Sequence, residues 1–383
     1  MTLETIPWVI EEQTKVKHRL LEEYIDVWMA VMFSQQDKIG VKQRLVYVDG
    51  FGGPGIYWAD ELKKATVPGS PVIVAEQANK FLDKNPTREV VIFGIDNDQR
   101  CVKTLQTELN NRNKHKQHWK ALHTTFEEAV NILFDYLVKD GKHIAPMFFF
   151  IDPFGYSGFK METLKRILKH PRTELFVNLM TYDISRFLTA DHASESLEQL
   201  FGTRSFAGAS NLTGDERVAR VVDLYCRQLQ HVAGAEFVQR FRINTPGQGT
   251  RPKYFLIHGS KHLKALKVMK DAMKKHSTQS FRFEAIGLDP SRQLDLFEPS
   301  SEEKLCKQIH AYLRGHSKKD IPYEEVEAWA YVTTGGVASN IKAALLRLVK
   351  EQDLRIHRLA KQKRSTVTKG ATIERPQSDG VTA

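Results

Sequence analysis

Apolar residues in the first two thirds of the chain fall into two alternating patterns. Five short apolar runs are typical of buried strands and lie at residues 45–49, 89–96, 121–123, 145–151 and 174–180. Between these runs, apolar residues recur at spacings of three and four, which predicts amphipathic helices. Continuous apolar strands that alternate with such helices indicate an α/β fold with a doubly wound, mainly parallel, Rossmann-like sheet.

Local signals predict where several helices begin. A stripe of apolar residues predicts an opening helix over residues 15–32. Ser70 and Pro71 suit the N-cap and the first position of the helix that follows strand one. The residues before them, 56–69, show no clear period. The segment TTFEE at residues 124–128 contains two overlapping capping boxes, which predict the start of another helix.

The order of these patterns divides the chain into domains. Residues 1–288 form the α/β domain, in which a helical insertion at about 181–235 interrupts the alternation. The polar residues 289–302 are the predicted linker. Residues 303–375 contain three helical patterns and then an alternating strand, which predicts a winged-helix-like domain, and residues 376–383 form a tail.

Charge adds a candidate partner to this picture. The 383-residue chain has 56 Lys and Arg against 46 Asp and Glu, a net charge of +10. Residues 341–375 hold ten basic and three acidic side chains. Such a basic region suits a polyanion, so nucleic acid (DNA or RNA) is the expected partner. A solvated, flexible basic tail explains the same charges.

Other features exclude several classes of protein. No apolar run approaches the roughly 18 residues that span a bilayer, and the first residues lack the pattern of a signal peptide. We therefore expect a cytoplasmic protein with no membrane partner. Cys101, Cys226 and Cys306 lie far apart in sequence and show no metal-ligand spacing, so neither a disulfide nor a metal site is predicted.

The end of strand one carries the first candidate site. The motif DGFGGPG begins there, and its glycines allow a ligand to approach the backbone at the carboxyl ends of the strands. A tight exit from the strand explains the same glycines. The predicted cofactor-binding residues of this loop are Asp49, Gly50, Phe51, Gly53 and Gly55.

Two further residues extend this candidate cofactor site. Asp96 ends strand two, where a carboxylate can accept hydrogen bonds from the ribose hydroxyls of an adenosine-containing cofactor. A helix N-cap explains Asp96 equally well. Phe126 follows strand three, where an apolar side chain can hold an adenine, although capping and core packing also account for it.

The spacing of these residues favours S-adenosylmethionine over a dinucleotide. A dinucleotide needs a helix N-terminus directly behind the glycines to neutralise its pyrophosphate. The next predicted helix begins at Ser70, fifteen residues after Gly55, and there is no GxxxxGK[ST] phosphate loop. S-adenosylmethionine has no phosphate and carries a positive sulfur, so the acidic Asp49 suits it.

Strand four ends in the motif DPFGY, which is similar to the D/N-P-P-Y/F loop of amino-methyltransferases that act on nucleic-acid bases. In that loop the Asp or Asn accepts a hydrogen bond from an exocyclic amine and the aromatic ring stacks on the base. The resemblance makes Asp152, Pro153 and Phe154 the predicted catalytic residues. The second proline is absent and Tyr156 follows, so either ring, or neither, is the stacking residue. A helix cap at Asp152 and simple packing of Phe154 are the alternative.

Polar residues at the end of strand five are expected at the same edge of the sheet. Asn178 lies at its end, and Asp183 and Arg186 follow, so they face the crevice if the predicted topology holds. Tyr156, Asn178 and Arg186 are the predicted substrate-binding residues, with Arg186 suited to a phosphate. Satisfying the loop backbone is the alternative role for them.

Three motifs together, YVDGFGGPG followed by GSP, FGIDND, and FFFIDPFGYSG, resemble the three-Cys-motif partner proteins of bacteria. The resemblance extends over most of the chain, from KHRLLEEYIDVW to the C-terminal helices. It implies a Rossmann-type methyltransferase fold and a neighbouring protein with a three-cysteine motif as partner. The three scattered cysteines of this chain are not that motif.

The sequence thus predicts an S-adenosylmethionine-dependent, methyltransferase-like protein that acts on nucleic acid. The alternative is a non-catalytic nucleic-acid-binding partner protein with a vestigial cofactor crevice. A nuclease is disfavoured, because no cluster of acids and lysine with the character of a metal site stands out.

Overall fold

A computed structural model divides the chain into two units, Met1–Phe283 and Glu284–Ala383. The structure describes residues 6–139, 145–244, 252–277, 281–284, 302–351, 354–374 and 376. Apart from Glu302 and Pro376, the predicted linker and tail lie outside the described residues. The domain boundaries therefore stay a prediction.

The strands of the first unit are β1 (Arg44–Asp49), β2 (Ile56–Trp58), β3 (Thr66–Pro68), β4 (Glu89–Asp96), β5 (Trp119–His123), β6 (Met147–Ile151), β7 (Thr173–Leu179), β8 (Phe237–Asn244), β9 (Pro252–Ser260) and β10 (Phe281–Glu284). Its α-helices are α1 (Glu12–Lys38), α2 (Ser70–Lys84), α3 (Gln99–Arg112), α4 (Phe126–Lys139), α5 (Met161–Leu168), α6 (Thr181–Phe187), α7 (Ser194–Phe201), α8 (Gly214–His231) and α9 (Leu263–Lys275).

Eight of these strands form one sheet in the order β10-β8-β9-β7-β6-β1-β4-β5. The strands from β5 to β7 are parallel neighbours, and β9 runs antiparallel to both β7 and β8. Each parallel step is a crossover through a helix, because parallel neighbours cannot be joined by a tight turn. The predicted doubly wound, mainly parallel Rossmann-like sheet is confirmed.

Side chains of the central strands alternate between two helical layers. Phe148 and Phe150 of β6 are fully buried in one core with residues of α1, α2 and α9. Phe149, between them in sequence, points the other way and stacks on Phe134 of α4 at a ring distance of 6.5 Å. Burial on both faces explains why β6 reads as a continuous apolar run. Helices α6, α7 and α8 follow β7, in the segment predicted to be a helical insertion.

Three local features differ from the sequence-based expectation. Helix α1 covers Glu12–Lys38, longer at both ends than predicted. Residues 56–69 contain the antiparallel hairpin β2–β3, whose three-residue strands are too short to show alternation. The N-cap of α2 is Gly69, not Ser70. The amide N–H of Gly69 donates to the Gly55 carbonyl at 2.7 Å, and a Cβ at Gly69 would lie 2.9 Å from that backbone carbon.

The second unit contains α10 (Glu302–Arg314), β11 (Asp320–Pro322), α11 (Tyr323–Thr333), α12 (Ala338–Lys350), β12 (Arg355–His357) and β13 (Thr372–Glu374). Its strands form an antiparallel sheet in the order β11-β13-β12. The helices pack through fully buried residues such as Ile309, Val326 and Leu345. The three predicted helices and the strand after them are present, whereas β11, between α10 and α11, was not expected. The winged-helix-like assignment remains a prediction. Among the described residues, none of the helices could span a bilayer.

Candidate functional site

The carboxyl ends of four neighbouring parallel strands bring together most of the polar residues predicted for the site. Strand β1 ends at Asp49 and lies between β4, which ends at Asp96, and β6, which Asp152 follows. Asn178 lies near the end of β7. Because parallel strands place their carboxyl ends at one edge of the sheet, these four side chains share a crevice.

The crevice has two halves, and different parts of the chain contact the carboxylates of each half. The β1–β4 half comprises residues 49–55 and Asp96. The β6–β7 half comprises residues 152–156 and Asn178.

Asp49 is a fully buried carboxylate with neutral hydrogen-bond donors. Its oxygens accept hydrogen bonds from the Tyr47 hydroxyl at 2.9 Å and the Phe51 amide at 3.3 Å. Burial raises the pKa of Asp49 to about 7, against the hydrogen bonds from Ser70 and Tyr47 that lower it, and the charge of Asp152 adds to the rise. The Ser70 hydroxyl thus serves Asp49 instead of capping α2. Asp49 changes charge near neutral pH, where a nearby cation would favour its ionised form.

Asp96 ties the glycine loop to the end of β4. Its carboxylate accepts the Gly53 amide at 3.0 Å and the Asp98 amide at 2.7 Å. Partial burial raises the pKa of Asp96 above its ordinary value, although both backbone hydrogen bonds lower it. The N-cap of α3 is Asp98, whose carboxylate accepts the Arg100 amide at 2.8 Å. Asp96 is therefore not the N-cap of α3.

Most glycines of the loop are explained by packing beneath it. A Cβ at Gly55 or at Gly94 would lie 2.5 Å from the side chain of Leu105, and one at Gly52 would lie 3.1 Å from it. Gly53 and Gly55 also have positive φ angles of 55° and 75°, which L side chains rarely adopt. The glycines are therefore a requirement of the tight strand exit, whether or not a ligand approaches the backbone.

Phe126 contributes a packed wall to the β1–β4 half. It is 2% exposed and stacks on Phe51 at a ring distance of 6.0 Å. A Cβ at Gly50 would lie 2.8 Å from the Phe126 ring. Of the two predicted capping boxes, Thr125 and Glu128 form one, with the Glu128 amide 3.3 Å from the Thr125 hydroxyl and the Thr125 amide 3.2 Å from the Glu128 carboxylate. The carboxylate of Glu127, predicted for the other, instead accepts hydrogen bonds from Lys160 and Thr163. The role of Phe126 in holding an adenine stays a prediction.

The β6–β7 half contains an ion pair that sequence reasoning missed. The ammonium group of Lys17 on α1 pairs with Oδ2 of Asp152, and the Asn178 amide donates to Oδ1 of Asp152 at 2.6 Å. The Lys17 and Asp152 side chains are only 8% and 17% exposed. Lys17 also lies 5.6 Å from the centre of the Tyr254 ring. Both oxygens of the predicted catalytic carboxylate are thus engaged by the protein itself.

The aromatic residues that follow Asp152 separate in space. Pro153 is buried, whereas Phe154 is 83% exposed and contacts Trp8 in a T-shaped arrangement at a ring distance of 5.4 Å. Tyr156 packs against Phe187 at 5.4 Å. Phe154 rather than Tyr156 therefore has a ring face free for a ligand.

Arg186 lies near the end of the short helix α6, seven residues after β7. Its guanidinium is 5.2 Å from the Phe187 ring centre. Burial raises the pKa of Asp183, and the charges of Arg186 and Lys253 oppose that rise. Substrate binding by Arg186 stays a prediction.

The residues missed from the sequence come from the N-terminal part of the chain. Lys17 and His18 lie on the buried side of α1, and His18 packs on Tyr57 at 5.6 Å. Burial lowers the pKa of His18 to about 3, and the charge of Lys17 adds to the effect, so His18 is neutral in solution near pH 7. The sequence did contain a signal for this part of the site, because Lys17 and His18 are adjacent basic residues within an apolar helical stripe.

Comparison with known proteins yields structural neighbours only. No family model and no curated protein matches the chain. Among solved structures, a Legionella pneumophila protein of family-model DUF519 is 11% identical over 70% of this chain and 95% of its own, with a TM-score of 0.39. An O-methyltransferase from Bacillus cereus in complex with SAH is 10% identical over 67% and 84%, with a TM-score of 0.33. The METTL16 MTase domain is 13% identical over 68% and 70%, with a TM-score of 0.31.

Among the described residues, no group of three or more His, Cys, Asp or Glu side chains is arranged to hold a metal ion.

Proposed function

We propose that the chain is an S-adenosylmethionine-dependent, methyltransferase-like protein that acts on nucleic acid. The observation that carries this proposal is the pairing of Asp96 with the glycine loop across neighbouring strands, where its carboxylate holds the Gly53 amide at 3.0 Å. This places a partly buried hydrogen-bond acceptor beside the loop, in the crevice where ligands of open α/β sheets bind.

The chemistry of the donor set fits this cofactor. Asp96 offers acceptor oxygens to ribose hydroxyls, and Asp49 offers a carboxylate whose ionisation a sulfonium cation would favour. In the described part of the crevice, the loop presents no lysine to a phosphate, so a dinucleotide suits it less well. Bound S-adenosylmethionine would supply an electrophilic methyl group on its sulfonium.

The residues of the chain would then bind and orient. Asp49 would hold the methionyl part of the cofactor and Asp96 its ribose, and Phe154 would stack on the target base with its exposed ring. Most of the rate would come from holding the nucleophile in line with the methyl group. A base inside a duplex would first have to be flipped out, so unpaired bases are the easier substrates.

The second unit supports nucleic acid as the partner. The loop between β12 and β13 carries five basic residues and no acid: Arg358, Lys361, Lys363, Arg364 and Lys369. The Arg358 guanidinium donates to the Thr366 carbonyl at 3.2 Å, which braces this loop. A winged helix would use such a loop against the phosphate backbone. The three-Cys-motif protein implied by the sequence resemblance is proposed as a second partner, and co-purification of the two proteins would test it.

A non-catalytic nucleic-acid-binding partner protein is the second candidate. The observation that favours it is the engagement of both Asp152 oxygens, one by Lys17 and the other by Asn178, so that the predicted catalytic carboxylate already has a partner at each oxygen. In this case the cofactor crevice is vestigial and the second unit performs the binding.

Calorimetric titration with S-adenosylmethionine and S-adenosylhomocysteine separates the two candidates. We expect micromolar binding that Asp96→Ala weakens by about a hundredfold, because a charge-assisted hydrogen bond to each hydroxyl is removed. Asp98→Ala is the matched control, since Asp98 caps α3 and should leave affinity unchanged. Absence of binding to the folded wild-type chain would favour the non-catalytic candidate.

The salt dependence of nucleic-acid affinity tests the basic loop. Replacing Lys361, Lys363 and Arg364 by Gln should lower affinity for duplex DNA and reduce the log-log salt slope by about 0.9 for each phosphate that is no longer neutralised. Lys103→Gln, Lys114→Gln and Lys165→Gln combined, on the first unit, remove the same number of charges and are the matched control. An unchanged slope in the triple variant would remove this loop from the interface.

A further inference from the structure

A pocket lies between α1 and α9, away from the crevice. It contains about 400 Å³ of space, part of it open to solvent, and its wall includes Glu174 of β7. Glu174 lies near the amino end of that strand, whereas Asn178 of the crevice lies near its carboxyl end. The pocket and the crevice are therefore separate sites at opposite ends of β7.

Most of the pocket wall is apolar. Side chains of the two helices form this part of the wall: Val27, Val31 and Met32 of α1, with Ala265 and Val268 of α9. A concave apolar surface of this kind suits the apolar body of a small molecule. The polar atoms of the wall then decide which head group that molecule carries.

Two side chains of the wall contain a buried polar atom that has no hydrogen-bond partner among the described residues. These atoms are Oε1 of Glu174 and Nε1 of Trp28, whose residues are only 1% and 3% exposed. The other oxygen of Glu174, Oε2, accepts a hydrogen bond from the Tyr24 hydroxyl and lies 3.1 Å from Nε2 of His258. One oxygen thus fixes the carboxyl group in place. Because unpaired buried polar groups are costly, a ligand that pairs with Oε1 and Nε1 would bind favourably.

We propose that this pocket binds a small neutral molecule with an apolar body and a head group that both donates and accepts hydrogen bonds, such as a hydroxyl. The head group would donate to Oε1 of Glu174 and accept from the indole N–H of Trp28. The apolar body would lie against Val31 and Val268. The inference goes beyond the proposed function, because none of the crevice residues takes part in it.

The groups around the head determine the charge of the ligand. A carboxylate ligand would meet the carboxyl group of Glu174, and an ammonium ligand has no acceptor for the indole N–H of Trp28. The exposed Lys264 also lines the pocket, and its charge repels a cation. Water can pair with the same two buried atoms but leaves the apolar wall without a contact. The experiment must therefore distinguish an organic ligand from water.

The NMR resonance of the Trp28 indole N–H in the isotope-labelled full chain tests the proposal, and its loss in Trp28→Phe assigns it. The probes are benzyl alcohol, protonated benzylamine and benzoate, which share a ring and differ in the head group. We expect benzyl alcohol to shift the resonance in a saturable titration and to bind about tenfold more tightly than either charged probe, because each charged probe leaves a buried group unpaired. This comparison uses the wild-type chain and does not depend on the folding of a variant.

A pair of variants tests the apolar part of the pocket. Val31→Phe should fill space in the pocket and abolish most of the shift caused by benzyl alcohol. Ile132→Phe, at an exposed position on α4, is the matched control and should retain the full shift.

Three results would overturn the inference. An indole resonance that does not move up to the solubility limit of benzyl alcohol would leave water as the occupant of the pocket. Equal affinities for benzyl alcohol and protonated benzylamine would remove the indole N–H of Trp28 as a donor to the ligand. Equal affinities for benzyl alcohol and benzoate would remove Glu174 as the acceptor.

Discussion

Both halves of the crevice are built from the carboxyl ends of parallel strands, but the groups that contact their carboxylates differ in charge. In the β1–β4 half, Asp49 and Asp96 accept hydrogen bonds from neutral groups, mostly backbone amides of the adjoining loops. In the β6–β7 half, Asp152 meets a cation from α1 and an amide from the next strand. The first half is thus left with negative charge to offer a cationic ligand, whereas the second is neutralised by the chain itself.

Removal of the cation from the β6–β7 half should have the largest effect on stability. Lys17→Met leaves the Asp152 carboxylate largely buried without its counter-ion, so we expect a loss of about 3–5 kcal/mol in the free energy of unfolding. Chemical denaturation measures it.

Two variants control this experiment. Lys15→Met breaks an exposed ion pair with Glu12 on the same helix and should cost less than about 1 kcal/mol. Lys17→Met combined with Asp152→Asn should recover most of the lost stability. If Lys17→Met lowers the free energy of unfolding no more than Lys15→Met does, Lys17 does not neutralise a buried charge in the β6–β7 half.

The pH dependence of cofactor affinity should reveal the charge of the β1–β4 half. Asp49, with a pKa of about 7, is protonated below neutral pH, and a sulfonium favours the ionised form. Affinity for S-adenosylmethionine should therefore rise about tenfold between pH 6 and pH 8 and then level off. Calorimetry at several pH values measures it.

Asp49→Asn and S-adenosylhomocysteine supply the comparison for this prediction. The variant should bind S-adenosylmethionine with a weaker pH dependence, and the homocysteine compound, which has no sulfonium, should show a shallower one with the wild-type chain. A pH profile that is the same in Asp49→Asn as in the wild type would contradict the assignment of this charge to Asp49.

A smaller effect is expected at the capping box that borders the β1–β4 half. Thr125→Ala removes the hydroxyl that accepts the Glu128 amide at the start of α4 and should cost about 1 kcal/mol in the free energy of unfolding. Thr107→Ala removes a hydroxyl that bonds only to the Lys103 carbonyl on the exposed side of α3, and should change stability by less than about 0.5 kcal/mol. Equal effects of the two substitutions would argue against a capping role.

The sequence was sufficient to predict the features that depend on local pattern. A polar residue that interrupts an apolar run marks a strand end, so Asp49, Asp96 and Asp152 could be assigned to one edge of the sheet once parallel strands were inferred. The capping box at Thr125 and Glu128 depends on residues three apart and was predicted for the same reason.

The features that were missed depend on contacts between distant parts of the chain. Lys17 and Asp152 are separated by 135 positions, and nothing in the apolar stripe of α1 shows which strand end its lysine will meet. Trp8 reaches Phe154 only because the hairpin β2–β3 holds the segment before α1, and that hairpin gave no periodic signal. Tertiary packing therefore decided the composition of the β6–β7 half.

Leu105 restricts how this site can change during evolution. Its side chain fills the space that a Cβ would occupy at Gly52, Gly55 and Gly94, three positions on two different segments. An alanine at position 94 would force the Leu105 side chain to move, so this substitution should be easier where residue 105 is smaller. Positions 94 and 105 should therefore covary among descendants of this chain, even though Leu105 lies below the loop, whereas the positive φ of Gly55 requires glycine there whatever residue 105 is.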